Sequence, residues 1–100
     1  MRSPDGKFLS FPGYKAAVGG GSSGATSVAV PRVAVTVNGA NDVAIGATTS
    51  TQFSGNNIRS AATDGANNFW GAGSNSGTYY LGNGAPAAVQ TATANTRVVD

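Results

Sequence analysis

One hundred residues with six Lys/Arg, four Asp, no Glu, no His and no Cys carry a formal charge of +2. That inventory leaves no disulfide, no thiolate–imidazole zinc site, no histidine for acid–base work near neutral pH and no cysteine nucleophile. Six dispersed cations make no nucleic-acid patch, and no run is apolar enough for a membrane span or the core of a signal peptide.

Helix signals are absent, because Gly interrupts every window of helical spacing and Val, Thr, Asn and Gly disfavour helix. Strand signals recur instead. A turn at Pro4-Asp5-Gly6 precedes a strand over 7–14, and residues 16–27 read as a Gly/Ser loop. Residues 31–37 alternate Val with smaller or polar side chains, and Asn38-Gly39 is a hairpin turn leading into a returning strand over 42–49. After a turn at 54–56 come strands over 57–63, 68–73 (with Phe69 and Trp70), 77–82 (with Tyr79 and Tyr80), 87–93 and 96–99.

Gly, Ala, Ser, Thr and Asn make up 61 of the residues, and Leu occurs only at positions 9 and 81. Ten Val supply most of the remaining core material. A compact monomer of this kind is marginal without a staple, and self-association is the staple open to this chain.

The stretch Asn57-Ile58-Arg59 through Asp64-Gly65 begins again as Asn95-Thr96-Arg97-Val98-Val99 and stops at Asp100, 38 residues later. Its missing half stands at the other end, as Arg2-Ser3-Pro4-Asp5-Gly6 followed by the aromatic strand with Phe8 and Phe11. Four short antiparallel strands in about 40 residues is the size of one β-propeller blade. The expected fold is therefore all-β, with two four-stranded antiparallel blades per chain. Residues 1–56 form the first blade, whose first strand a neighbouring chain supplies, and 57–94 form the second. Residues 95–100 are the exchanged strand, so Asn95, Thr96, Arg97, Val98, Val99, Phe8 and Phe11 are the expected assembly residues. A homo-oligomeric ring closes by strand exchange: three chains give six blades, and four chains giving eight is the alternative.

The segments 3–14 (SPDGKFLSFPGY), 53–65 (FSGNNIRSAATDG) and 95–99 (NTRVV) resemble parts of large, uncharacterised bacterial secreted proteins with β-propeller-like repeats. The resemblance implies a propeller fold and an extracellular parent protein, whose export signal lies outside this chain. It implies no reaction.

The four Asp stand beside turn residues, where the carboxylate caps its own backbone. Neither Asp-Gly turn has the dense oxygen ligands of a Ca²⁺ loop, and the Gly19–Gly24 stretch lacks the Lys-Ser/Thr of a phosphate loop. No enzyme, metal or cofactor is expected. Arg59 and Arg97 hold equivalent places in the repeat and could line a central channel for an anion. Trp70 and Tyr79 could stack on a sugar, which makes a carbohydrate the candidate ligand. The expected role is a structural or ligand-binding scaffold, and the alternative is a subunit of an extracellular filament or phage assembly.

Overall fold

A computed structural model describes residues 1–20, 24–82 and 85–100; residues 21–23 of the expected Gly/Ser loop and 83–84 lie outside the described set. The described chain is all-β without a helix. Its strands are β1 (Phe8–Tyr14), β2 (Arg32–Asn38), β3 (Val43–Thr49), β4 (Ile58–Thr63), β5 (Phe69–Gly73), β6 (Thr78–Tyr80) and β7 (Ala87–Gln90). They form two antiparallel meanders, a three-stranded sheet β1-β2-β3 and a four-stranded sheet β4-β5-β6-β7.

The N-terminal segment Met1–Ser3 lies where a fourth strand of the first sheet would begin. Ser3 N–H donates to the Phe8 carbonyl (2.9 Å), Ser10 N–H donates to the Met1 carbonyl (2.6 Å), and Arg2 bridges to Leu9. Past Ser10 this edge is blunt. Pro12 has no N–H, and the Tyr14 carbonyl already accepts from Ala16 N–H at 3.0 Å.

Both sheets are meanders. β1, which follows the Asp5-Gly6 turn, corresponds to β5, which follows Asp64-Gly65. It runs opposite to β4 beside it, since Ser10 meets Ala61 and Tyr14 meets Asn57. The sheets lie closest at β1 and β4 and separate toward the outer strands. Their Asp-Gly turns sit at the same end: a Cβ on Gly65 (φ +85°) would fall 2.9 Å from Asp5 Oδ2. One face of each sheet meets the other. Ser10 Oγ donates to the Ala61 carbonyl across the buried junction (2.9 Å), and Ala34, Ala47, Phe53, Ile58, Ala61, Phe69 and Leu81 form the shared core. β3 bulges at Gly46, since Ala34 pairs with Ala47 and Val35 with Ile45. The Phe69 ring occupies the space that a side chain at Gly46 would need.

Of the ten Val expected as core material, Val30, Val33 and Val35 are buried while Val18, Val28, Val43, Val89 and Val98 are exposed, and β2 turns its small side chains toward the second sheet. Ala34 belongs to the core between the sheets, while Val33, Val35 and Val37 lie on the opposite face beside Leu9, Phe11, Ile45 and Val43. The reason is the pleat: Ser10 and Ala34 must face β4 for the sheets to approach, so alternate residues face away. Other expectations shift by a few residues. The hairpin after β2 is longer than a two-residue Asn-Gly turn, because Asn38 Oδ1 accepts from both Ala40 N–H (2.9 Å) and Asp42 N–H (3.0 Å). Positive φ therefore falls on Asn41 (64°). β7 stops at Gln90, whose amide exchanges hydrogen bonds with the Thr93 backbone.

The expected strand over 96–99 is not a strand in the structure. Thr96 N–H donates to the Gly73 carbonyl (2.8 Å), Thr96 Oγ1 donates to the Gly77 carbonyl (2.9 Å), and Val99 N–H donates to Ser60 Oγ (2.9 Å). These partners are scattered over its own four-stranded sheet, so the tail clasps that sheet and forms no ladder.

One buried cation anchors the loop that was expected to be a plain Gly/Ser connector. Arg32 is fully buried. Its guanidinium donates to the carbonyls of Val30 (2.6 Å), Ala25 (2.8 Å) and Asn56 (2.7 Å) and lies 5.2 Å from the centre of the Tyr14 ring. The loop before β2 and the turn after β3 thus converge on a planar donor whose fork matches their carbonyls. Ser27 N–H also donates to Ser54 Oγ (3.0 Å), so the end of the loop is held. Arg32→Ala should destabilise the fold by about 3 kcal/mol or more, since it strands buried carbonyls and opens a cavity. Arg32→Lys should lose most of the same stability, because one ammonium cannot reach all three carbonyls with Arg geometry. Urea denaturation of the two variants beside the wild type measures both losses.

Candidate functional site

The strands leave two sheet faces uncovered, one at each end of the two-layer stack. On the first sheet the uncovered face is an apolar patch built by register. Leu9 stands opposite Val37, Phe11 opposite Val35, Val35 opposite Ile45 and Val37 opposite Val43. Leu9 (57 %), Phe11 (42 %), Val43 (66 %) and Ile45 (54 %) are exposed there. Isolated exposed apolar residues are ordinary, but a contiguous set on one flat face marks a contact surface.

On the second sheet the uncovered face carries a cleft of about 500 Å³. Ala62, Trp70, Thr78 and Val89 form its floor, and Arg2 and Val99 stand at its sides. Trp70 and Ala62 are cross-strand partners, and Trp70 also pairs with Tyr80. The two rings meet at 5.6 Å with a 59° tilt, and Tyr80 Oη donates to Asn68 Oδ1 (2.7 Å). That bond and the ring contact fix the indole on the cleft floor.

A smaller groove of about 280 Å³ lies between the β1 edge, β4 and the tail, lined among others by Phe11, Arg59, Arg97 and Val98. Arg59 donates to Asn95 Oδ1, so the guanidinium of the first repeat holds the opening residue of the second.

The expected site residues therefore divide. Arg59, Arg97, Val98 and Phe11 share the groove, and Trp70 lies on the floor of the cleft. Tyr79 turns the other way and packs against the core, because its register partner is Gly71 on the inward face. Phe8 lines the crevice between the sheets with Phe69 and Gly46 and does not join Phe11 on the outer face. Leu9, Val43, Ile45 and Val89 were missed. Their signal was present in the alternation of β2 and β3, but apolar alternation alone does not say which face meets the partner sheet.

Two of the four Asp side chains, Asp5 and Asp64, are occupied as turn caps. Asp64 accepts from Asn68 Nδ2 (2.6 Å) and from the N–H groups of Ala66 (2.8 Å) and Asn68 (3.2 Å). Asp5 accepts from Ser3 Oγ (2.6 Å) and Lys7 N–H (3.1 Å). The Asn68 amide for Asp64, and the Ser3 hydroxyl for Asp5, hold each carboxyl below its ordinary range. Among the described residues no group of three or more His, Cys, Asp or Glu could hold a metal ion, and no helix is long and apolar enough to cross a membrane.

No family model matches the chain, and neither does any curated protein or solved structure.

A folded-state pKa below the unfolded value means that each Asp contributes stability above the ordinary carboxylate range, and that this is lost as pH falls through the folded value. Stability should therefore drop on acidification below about pH 4. In an Asp5→Asn/Asp64→Asn variant that acid dependence should shrink, which denaturation midpoints measured from neutral pH downward would read.

Proposed function

We propose that this chain is a non-catalytic scaffold unit that assembles with copies of itself into a ring of β-propeller blades, two blades per chain. The observation that carries this reading is the shape of the two-layer stack. Two meanders with the same strand order meet as a wedge, closest at β1 and β4, and each has an uncovered outer face with apolar exposure. Blades around an axis have that relation, and a stack of two leaves both end faces in need of cover. The internal repeat at 38-residue spacing and the scarcity of large side chains point the same way.

Three chains, giving six blades, is the preferred ring, and four chains is the alternative. Faces at the two ends differ in composition, so their contact is head to tail, and such contacts form rings or filaments according to whether the rotation closes. The blunted edge past Ser10 makes strand exchange a minor part of the joint beside face-to-face burial. A carbohydrate role is the weaker companion of this reading, because Tyr79 faces the core and leaves Trp70 with Tyr80 as the aromatic platform. The extracellular setting rests on composition and on the motif resemblance.

Sedimentation equilibrium should give a discrete species of three or four times the 9.8 kDa chain mass. A stable 9.8 kDa monomer would overturn the proposal. Fibrous or polydisperse material would replace the ring by the filament reading.

A further inference from the structure

The joint between copies can be assigned to particular side chains by asking how the chain already joins its own two sheets. In that internal joint a side chain from the rear of the second sheet, Phe69, enters the front of the first sheet over Gly46. The sheets share strand order, and their Asp-Gly turns lie at one end, so front and rear have the same meaning in both. The equivalent rear positions of the first sheet can be found from hydrogen-bond parity. Phe69 points its carbonyl toward β6, where Leu81 N–H donates to it (2.7 Å). Phe8 points its carbonyl the opposite way, to Ser3, so Leu9 and Phe11 are the residues with Phe69's parity. These two are exposed on the uncovered rear face, together with Val43 and Ile45.

The uncovered front belongs to the second sheet and holds the cleft of about 500 Å³ floored by Trp70 and Val89. A cleft of that size accommodates more than one aliphatic or aromatic side chain. One end of the molecule thus projects apolar side chains and the other is hollowed to take them. We infer that the rear face of the first sheet of one copy, led by Leu9, Phe11 and Ile45, docks into the Trp70–Val89 cleft of a second copy, as Phe69 does inside the chain. The inference rests on the assembly reading above and adds its polarity and its contact residues. Arg2, Asp64 and Asp100 also line the cleft, so the apolar match is made over Trp70 and Val89.

Two variants, each with one end disabled, provide the test. Ile45→Asp/Val43→Asp spoils the projecting face and keeps the cleft; Val89→Asp spoils the cleft and keeps the projecting face. All three positions are exposed, so the fold should survive, which circular dichroism would check; Leu9→Asp and Thr78→Arg serve as substitutes for a variant that does not fold. Each variant alone should sediment as a 9.8 kDa monomer. An equimolar mixture should form a one-to-one dimer and nothing larger, because each pair has one intact joint and two disabled ends. Association of either variant by itself, or a mixture that stays monomeric, would overturn the inference while wild-type assembly leaves the ring or filament reading intact. A monomeric wild type is the separate result that removes the assembly reading itself.

Discussion

The approach of Phe69 to the backbone at Gly46 is the constraint on which the arrangement of the sheets depends. With so few large side chains, the space between two sheets cannot be filled by interdigitated Leu and Ile. The chain instead brings backbone close to ring. The bulge at Gly46 presents bare backbone to Phe69, and Gly71 does the same beneath Leu81 and Ile58. Phe53, fully buried, enters the same core from the link between the sheets with a φ of 59°. A left-handed backbone at a bulky residue is unfavourable, and burial of the whole ring offsets it. Small facing residues then become useful, since Ala34, Ala47 and Ala61 let the layers come near enough for dispersion contacts.

Because the inward faces set only a few large residues, Phe53, Ile58, Phe69 and Leu81, against Ala and Gly, Leu9, Phe11, Val43 and Ile45 are left on the outside. This inverts the usual reading of an alternating strand. The run 31–37 announced a strand and its period, and both are present as β2. What the alternation could not announce was which parity meets the partner, since Val on one face and Ala and Thr on the other describe either choice. The decision is made far away in sequence, by Ser10 reaching the Ala61 carbonyl and by Phe69 needing a flat opposing surface. Tyr79 was lost from the candidate site for the same reason, its face being set by pairing with Gly71.

Strands ending in strong turn signals were legible, and those depending on tertiary donors were not. Asp5 and Asp64 cap their turns as the sequence implied, because the cap is local and each carboxylate finds its donors within four residues. The tail reads as a strand by analogy with β4, yet its donors find Gly73 and Ser60, which no local pattern foretells. Arg32 is the clearest case. In sequence it is one of six dispersed cations, and only the fold shows that carbonyls from residues 25, 30 and 56 converge on it. Its desolvation is compensated by those dipoles and the Tyr14 ring, which ties the turn after β3 to the loop before β2.

The internal joint also bears on whether repeated joints close. A head-to-tail contact generates a ring when each step is a rotation without rise, and a helix when it carries a translation along the axis. Within the chain the two Asp-Gly turns lie side by side, with Asp5 against Gly65, at the same level along the strands. The step from the first sheet to the second therefore has little rise, and its wedge opens from the β1–β4 edge. If the joint between copies has the geometry of the joint within them, successive steps return to the starting level and the number of blades follows from the wedge angle alone. A joint that instead slid along the strands would carry the Asp64-Gly65 turn of one copy away from the Asp5-Gly6 turn of the next and add a rise at every step.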